Sequence, residues 1–129
     1  MKRFRGRAIR AGKAKGEALV SPEPIGFLGG VDPETGRVVE PGHPLEGQSV
    51  AGKVLVFPTG KGSTVGSYVL YRLARNGLAP AAIVNQESEA IVAIGAIMGD
   101  IPMVDRIPIE EIRTGQRVRV DREWVWVEG

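Results

Sequence analysis

The stretch that most constrains this chain is AGKVLVFPTGKGSTVGSYVLYRLARNG, the alanine at 51 followed by Gly52–Gly77. Lys53–Phe57 is a short apolar run rich in β-branched residues, which predicts a buried strand. Pro58 ends it, because proline cannot donate to a central ladder. Thr59–Gly62 is a glycine loop, and a helix is expected to start at Ser63 or Thr64. Val65, Val69 and Leu73 repeat at helical spacing, Arg72 and Arg75 suit the negative end of the helix dipole, and Asn76–Gly77 supplies a stop. Strand, glycine loop, hydroxyl and helix in that order bring small polar groups and free backbone N–H groups to one point on the surface.

Elsewhere the signals are shorter. Arg3–Ala11 alternates with period two and predicts one half-buried strand, Gly12–Gly16 a turn, and Glu17–Ser21 a second strand. Asp32-Pro33-Glu34-Thr35-Gly36 is a turn with a mechanism: Asp32 bonds back, Pro33 presets φ, and Gly36 accepts a positive φ. Glu40–Val50 is expected to be a long loop. A strand at Ala81–Val84, a helix at Glu89–Met98 and a strand at Ile101–Asp105 follow; the order strand, helix, strand implies a crossover onto a parallel neighbour. Ile109–Arg113 reads as a turn of helix. Gln116–Val120 and Glu123–Val127 alternate and are expected to pair across Asp121–Arg122, with Trp124 and Trp126 on one face. The sum is a mixed α+β or a layered β/β/α domain, with residues 1–129 as a single domain.

Composition narrows the chemistry. The chain has no cysteine and one histidine, His43, so thiolate ligation of zinc or of an iron–sulfur cluster is not available to it. No apolar run approaches the ~18 residues of a membrane span, and the expectation is a soluble, cytoplasmic protein. Net charge is only +2, but Lys2, Arg3, Arg5, Arg7, Arg10, Lys13 and Lys15 crowd the start. Nucleic acid is one reading of that cluster. Phe4 is the only aromatic residue within it, and single-strand binders use stacking platforms, so a solvated basic face is the preferred reading. A rim facing another subunit or an anionic substrate fits equally well.

The glycine loop does not match the common phosphate and nucleophile motifs. Gly62 separates Lys61 from Ser63 and Leu55 stands where a P-loop needs glycine. Gly60, Gly62 and Gly66 are spaced one residue too long for a dinucleotide fingerprint, and no G-x-S-x-G elbow is present. Two readings of Ser63 stand on the residues alone: a helix N-cap, or an exposed hydroxyl in an anion-friendly loop.

The run from Gly52 to Arg106, GKVLVFPTGKGSTVGSYVLYRLARNGLAPAAIVNQESEAIVAIGAIMGDIPMVDR, closely resembles the small swivel subunit of the aconitase X family. GGVDPETG at Gly29–Gly36 and the His43-Pro44-Leu45 loop resemble it too, and GKGST is the most specific part. The resemblance implies a swivelling β/β/α domain that pairs with a separate large subunit as a heterodimer or higher assembly. For stand-alone small subunits it implies dehydration of (R)-5-phosphomevalonate to trans-anhydromevalonate 5-phosphate, a step toward isoprenoids. Fused or bacterial relatives imply cis-3-hydroxy-L-proline as the alternative substrate, and a non-catalytic RNA-binding or regulatory module is the alternative of a different kind. By the resemblance, Ser63 is the proton acceptor, removing a proton α to the substrate carboxylate. Lys61, Gly62 and Thr64 shape the loop and meet substrate oxygens. An iron–sulfur cluster in the large subunit takes the departing hydroxyl as a Lewis acid. Asp32 and His43 are expected near the subunit interface, with a turn-capping Asp32 and a surface His43 as the plainer readings.

Overall fold

Every residue of the run at Val54–Phe57 is buried, as an apolar strand covered on both faces requires. The computed structural model describes residues 1–129. The strands are β1 (Lys2–Arg5), β2 (Arg7–Arg10), β3 (Lys13–Val20), β4 (Val54–Phe57), β5 (Ala82–Asn85), β6 (Met103–Asp105), β7 (Arg117–Asp121) and β8 (Trp124–Glu128). The helices are α1 (Gly66–Arg75) and α2 (Ala90–Met98), and Ile109–Glu111 is a 3₁₀ turn. No helix is long and apolar enough to cross a membrane.

The strands form one eight-stranded sheet in the order β1-β8-β7-β3-β4-β5-β6-β2. β3 to β6 are parallel to one another, whereas β7 joins β3, β8 joins β7, β1 joins β8 and β2 joins β6, each antiparallel to the strand it pairs with. Alternation then sorts side chains into two cores. Leu19, Leu55, Phe57, Ile83 and Met103 face the helices, with Val69, Leu70, Leu73, Val92 and Ala96 packed on them. Ala18, Val54, Val56, Ala82, Val84 and Val104 face the other way, onto Val118, Val120, Val125 and Val127 of the antiparallel half. Helices, parallel sheet and antiparallel sheet are thus three layers, which is the β/β/α arrangement expected from the sequence.

One expected strand is divided. Residues 3–11 do not form a single strand; the chain bends at Gly6, so that β1 pairs with β8 and β2 with β6 at the opposite end of the sheet. Both edges are therefore consecutive in the chain, and the sheet curls into a barrel-like form. A Cβ on Gly6 would lie 2.2 Å from the Asp105 carbonyl oxygen, so only glycine lets the chain pass between the edges. The expected turn at 12–16 is also replaced: β3 begins at Lys13 and runs through Gly16, where a Cβ would meet the Gly52 carbonyl at 2.8 Å. The basic residues Arg3 and Arg5 are exposed on β1, and their guanidinium groups lie 5.2 and 5.6 Å from the Trp124 ring centroid. Arg119 lies 4.5 Å over Trp126, so the two indoles are half-covered by arginines.

The β2–β6 seam holds an ion pair between a buried carboxylate and a half-exposed arginine. Asp105 is fully buried and accepts from Arg7 Nη2 at 2.8 Å, from Arg7 Nε at 3.1 Å and from the Ser88 N–H at 3.1 Å. Burial alone would raise its pKa; the hydrogen bonds from Arg7 and Ser88 and the Arg7 charge outweigh that and hold the carboxyl below its ordinary 3.8. The folded-state value is below the unfolded one, so the stabilisation is present above about pH 4 and drains as pH falls through the folded value. Asp105→Asn is expected to lower the melting temperature at neutral pH and to flatten its decline below about pH 4, read by thermal melts across pH.

Candidate active site

Because β3 to β6 are parallel, their carboxyl ends lie along one rim, where ligands commonly bind in parallel sheets. The segments that leave this rim begin at Ser21, Pro58, Gln86 and Arg106. They are stitched together by backbone. The Ile25 N–H donates to the Thr59 carbonyl at 3.3 Å, and the Lys61 N–H returns to Ile25 at 3.1 Å. Gln86 and Glu87 both donate to the Pro58 carbonyl, at 3.2 and 3.0 Å. Asn85 Nδ2 donates to the Phe57 carbonyl at 2.9 Å, tying the roots of two of these segments together.

The loop Gly60–Thr64 rests on the start of α2. Both carboxylate oxygens of Glu89 cap that helix, accepting from the Ile91 N–H at 2.9 Å and the Val92 N–H at 3.3 Å. A Cβ on Gly60 would lie 2.6 Å from Glu89 Oε1 and 2.5 Å from Val92 Cγ2. The absent side chain at 60 is what allows the loop to sit against the cap. Gly62 has φ +94°, a conformation that suits glycine and strains any other residue.

From this base the chain projects Lys61, Gly62, Ser63 and Thr64, all exposed. The expected helix start is only partly observed. The chain winds from Ser63 in a three-residue pattern, Gly66 N–H to Ser63 and Tyr68 N–H to Val65, and α-helix begins at Gly66. Ser63 is not the N-cap residue; its Oγ accepts from the Val65 N–H at 3.2 Å, a local serine turn. The hydroxyl is thus oriented by the backbone yet open to the surface. The backbone N–H groups of Gly62, Ser63 and Thr64 have no hydrogen-bond partner within the chain. Successive free N–H groups ahead of a helix make an anion-binding concavity, and no acidic residue lies in the first turn of α1. Lys61 Nζ adds a cation at the edge, 3.2 Å from Glu40 Oε2.

Lys61, Gly62, Ser63 and Thr64 therefore stand together, whereas Asp32 and His43 do not join them. Asp32 caps its own turn: its Oδ1 accepts from the Glu34 N–H at 2.9 Å and its carbonyl from the Gly36 N–H at 2.8 Å. His43 is buried, contrary to the surface position expected of it. Its Nδ1 accepts from the Leu45 N–H at 3.0 Å, and Nε2 lies 3.1 Å from the Pro24 carbonyl, so it braces two loops. Sequence reasoning passed over Glu40, which holds Lys61, and Glu89, which holds the loop from behind. An acidic residue directly before the apolar helical run at 90–98 was a usable signal for the second; nothing local marks the first. Gly60→Ala is expected to displace either the loop or the Glu89 cap, destabilising the fold by about 1–3 kcal/mol in urea denaturation.

Comparison with known proteins gives one consistent picture. A family model described as the aconitase X swivel domain matches residues 3–128. A Thermococcus kodakarensis protein named phosphomevalonate dehydratase small subunit is 57% identical over 121 residues, covering 94% of this chain and 91% of the relative. One of the same name from Methanocella arvoryzae is 58% identical over 121 residues, covering 92% of each. The structure superposes on a chain of the crystal structure of Thermococcus kodakaraensis aconitase X in its holo form with TM-score 0.98 and 53% identity, covering all of both chains. The chain belongs to the aconitase X swivel domain family.

Proposed function

We propose that this chain is the small subunit of a hydro-lyase that removes water from (R)-5-phosphomevalonate to give trans-anhydromevalonate 5-phosphate, with Ser63 as the proton acceptor. The observation that carries the reading is the GKGST loop itself. In a chain 57% identical to a phosphomevalonate dehydratase small subunit, it presents one backbone-oriented hydroxyl on the rim where parallel strands end.

The chemistry asked of Ser63 is removal of a proton from the carbon beside the substrate carboxylate, while the hydroxyl on the next carbon departs as water. A serine hydroxyl is a poor base unless its conjugate oxyanion is stabilised. A helix end contributes up to ~2 kcal/mol, about one and a half pKa units, which is far too little alone. The Val65 N–H on Oγ adds one donor. The N–H groups of Gly62, Ser63 and Thr64 are free and Lys61 is exposed, which supports a role for them in meeting substrate oxygens in this proposal. The remaining cations come from a second, larger polypeptide in this proposal.

The iron–sulfur cluster implied by the family resemblance does not suit this chain's own residues. There is no cysteine, and no group of three or more histidine, aspartate or glutamate side chains is placed to hold a metal. The cluster is accordingly assigned to the larger subunit, and nothing in the role of Ser63 depends on its geometry.

Ser63→Ala is expected to assemble normally with the larger subunit and to lose roughly 10²–10⁴-fold in kcat, the usual range for a general base. Wild-type turnover in that variant would overturn the assignment. Lys61→Met is expected to raise KM for the phosphorylated substrate more than it lowers kcat. Turnover of cis-3-hydroxy-L-proline in place of phosphomevalonate by the assembled enzyme would replace the substrate while leaving the reaction class.

A further inference from the structure

We propose that the outer face of the antiparallel sheet binds single-stranded nucleic acid, an activity of this chain separate from the Ser63 loop. The sequence carries a basic cluster at its start, with Phe4 as the only aromatic residue among the cations. The fold brings stacking surfaces to that cluster. β8 lies beside β1, and β7 lies between β8 and the first half of β3. Both tryptophans of the chain arrive on β8, next to the basic strands.

Strand register sets the outward side chains in rows that cross all four strands. One row is Arg3, Trp126, Arg119 and Lys15, and the next is Arg5, Trp124, Asp121 and Lys13. Glu128, Arg117 and Glu17 make a third row. The side chains between them, Val118, Val120, Val125 and Val127, point into the core. The two indoles lie 6.0 Å apart with their planes tilted by 34°. Arg119 is laid over one ring, and Arg3 and Arg5 over the other. Two hollows of about 310 and about 380 Å³ share Lys15 and Arg119 as a common wall; Arg117 and Trp126 line the first, Lys13 the second.

The occupant follows from the charges and the flat groups taken together. Arg3, Lys13, Lys15, Arg117 and Arg119 form no ion pair within the chain. Among the carboxylates of the face, Glu17 and Asp121 are already engaged by Lys53 and Arg122. Such a face repels a second copy of itself and attracts a polyanion. Cations recur at every second residue on β1, β3 and β7, a spacing of about 7 Å. That spacing is close to the step between phosphates of an extended nucleotide chain. The carboxylates of an acidic protein would use the cations alone. Indoles and the guanidinium planes laid on them are the surfaces on which unpaired bases stack. The sugar-phosphate chain is therefore placed along Lys13, Lys15 and Arg117, with bases against the arginine-capped Trp124 and Trp126. A duplex hides its base faces and gains nothing from the indoles.

This face is turned away from the catalytic loop. The antiparallel half covers the side of the parallel sheet opposite α1 and α2, and its outer face looks away from both. A second basic surface, the cleft at the break between β1 and β2, is lined by Arg5, Arg7, Arg106 and Arg122. It offers no ring to stack on, and Arg5, Arg7 and Arg122 are paired with Glu123, Asp105 and Asp121. That cleft extends the positive field of the face without making a base site of its own.

Because the chain has two tryptophans and both lie here, the intrinsic fluorescence of the purified full-length chain reports on this face alone. Titration with a single-stranded oligouridylate of about 12 nucleotides is expected to quench it. Binding is expected to fall about 20-fold as salt rises from about 50 to about 200 mM, the slope for three neutralised phosphates. Variants are compared by the anisotropy of the same oligonucleotide carrying fluorescein. Lys15→Glu, at an exposed position, is expected to weaken binding roughly tenfold with an unchanged thermal melt. Trp126→Ala is expected to weaken it about tenfold, and Trp126→Phe to keep most of it, because a ring remains. No quenching at the lower salt overturns the proposal. So does polyglutamate or an oligouridylate–oligoadenylate duplex bound as tightly as the single strand, and so does wild-type affinity in both Lys15→Glu and Trp126→Ala. If the chain assembled with its larger subunit no longer binds the oligonucleotide, the face belongs to a protein contact and the proposal fails.

Discussion

The architecture depends on how the sheet closes. A single short segment, residues 2–10, supplies both edges of an eight-stranded sheet, and the crossing is made at Gly6. With no side chain there, the backbone slips past the Asp105 carbonyl, and the Gly6 N–H bonds Glu123 at 2.8 Å. No ladder joins β1 to β2, so the two edge strands are linked through the chain itself at Gly6. The Arg7–Asp105 pair is set into the same seam, so the one fully buried carboxylate of the chain sits where the sheet is sewn shut. Without Arg7 the carboxylate would be left buried and unpaired, which is costly.

Closure also decides where chemistry can occur. Once the antiparallel half covers one face of the parallel strands and the helices cover the other, the carboxyl rim is left open. That rim gathers residues far apart in sequence: Ile25, the Gly60–Thr64 loop, and the corner leading into α2. Polar groups are concentrated there. Asn85 is wholly buried at the end of β5, with its amide nitrogen on the Phe57 carbonyl. Its Oδ1 is the one buried side-chain polar atom without a partner in the chain.

Much of this was legible in advance, and the failures have physical causes. Val54–Phe57 was readable as a strand because burial on both faces makes the whole run apolar. The GKGST loop was readable because its residues are contiguous, so that no tertiary contact was needed to assemble them. The helix ends were less clear: Ser63 accepts a hydrogen bond as a cap would, but two residues ahead of the N-cap position, Val65. The division at Gly6 left no trace, since alternation continues with the same period through β1 and β2. Gly12 and Gly16 read as turn punctuation. Gly16 instead serves a close approach of the Gly52 backbone, which only the folded chain creates. The burial of His43 depends on Pro24, nineteen residues upstream, and no local pattern announces that contact.

The way the loop is rooted has a mechanical consequence. Its first residues are bonded to Ile25, its root is clasped by Asn85, and Gly60 is pressed against the carboxylate that begins α2. A tether of that kind leaves little slack for a flap to open and shut on its own. Any large travel of the serine would have to be travel of the entire barrel, hinged from outside, as a bolt moves only when the door that carries it swings.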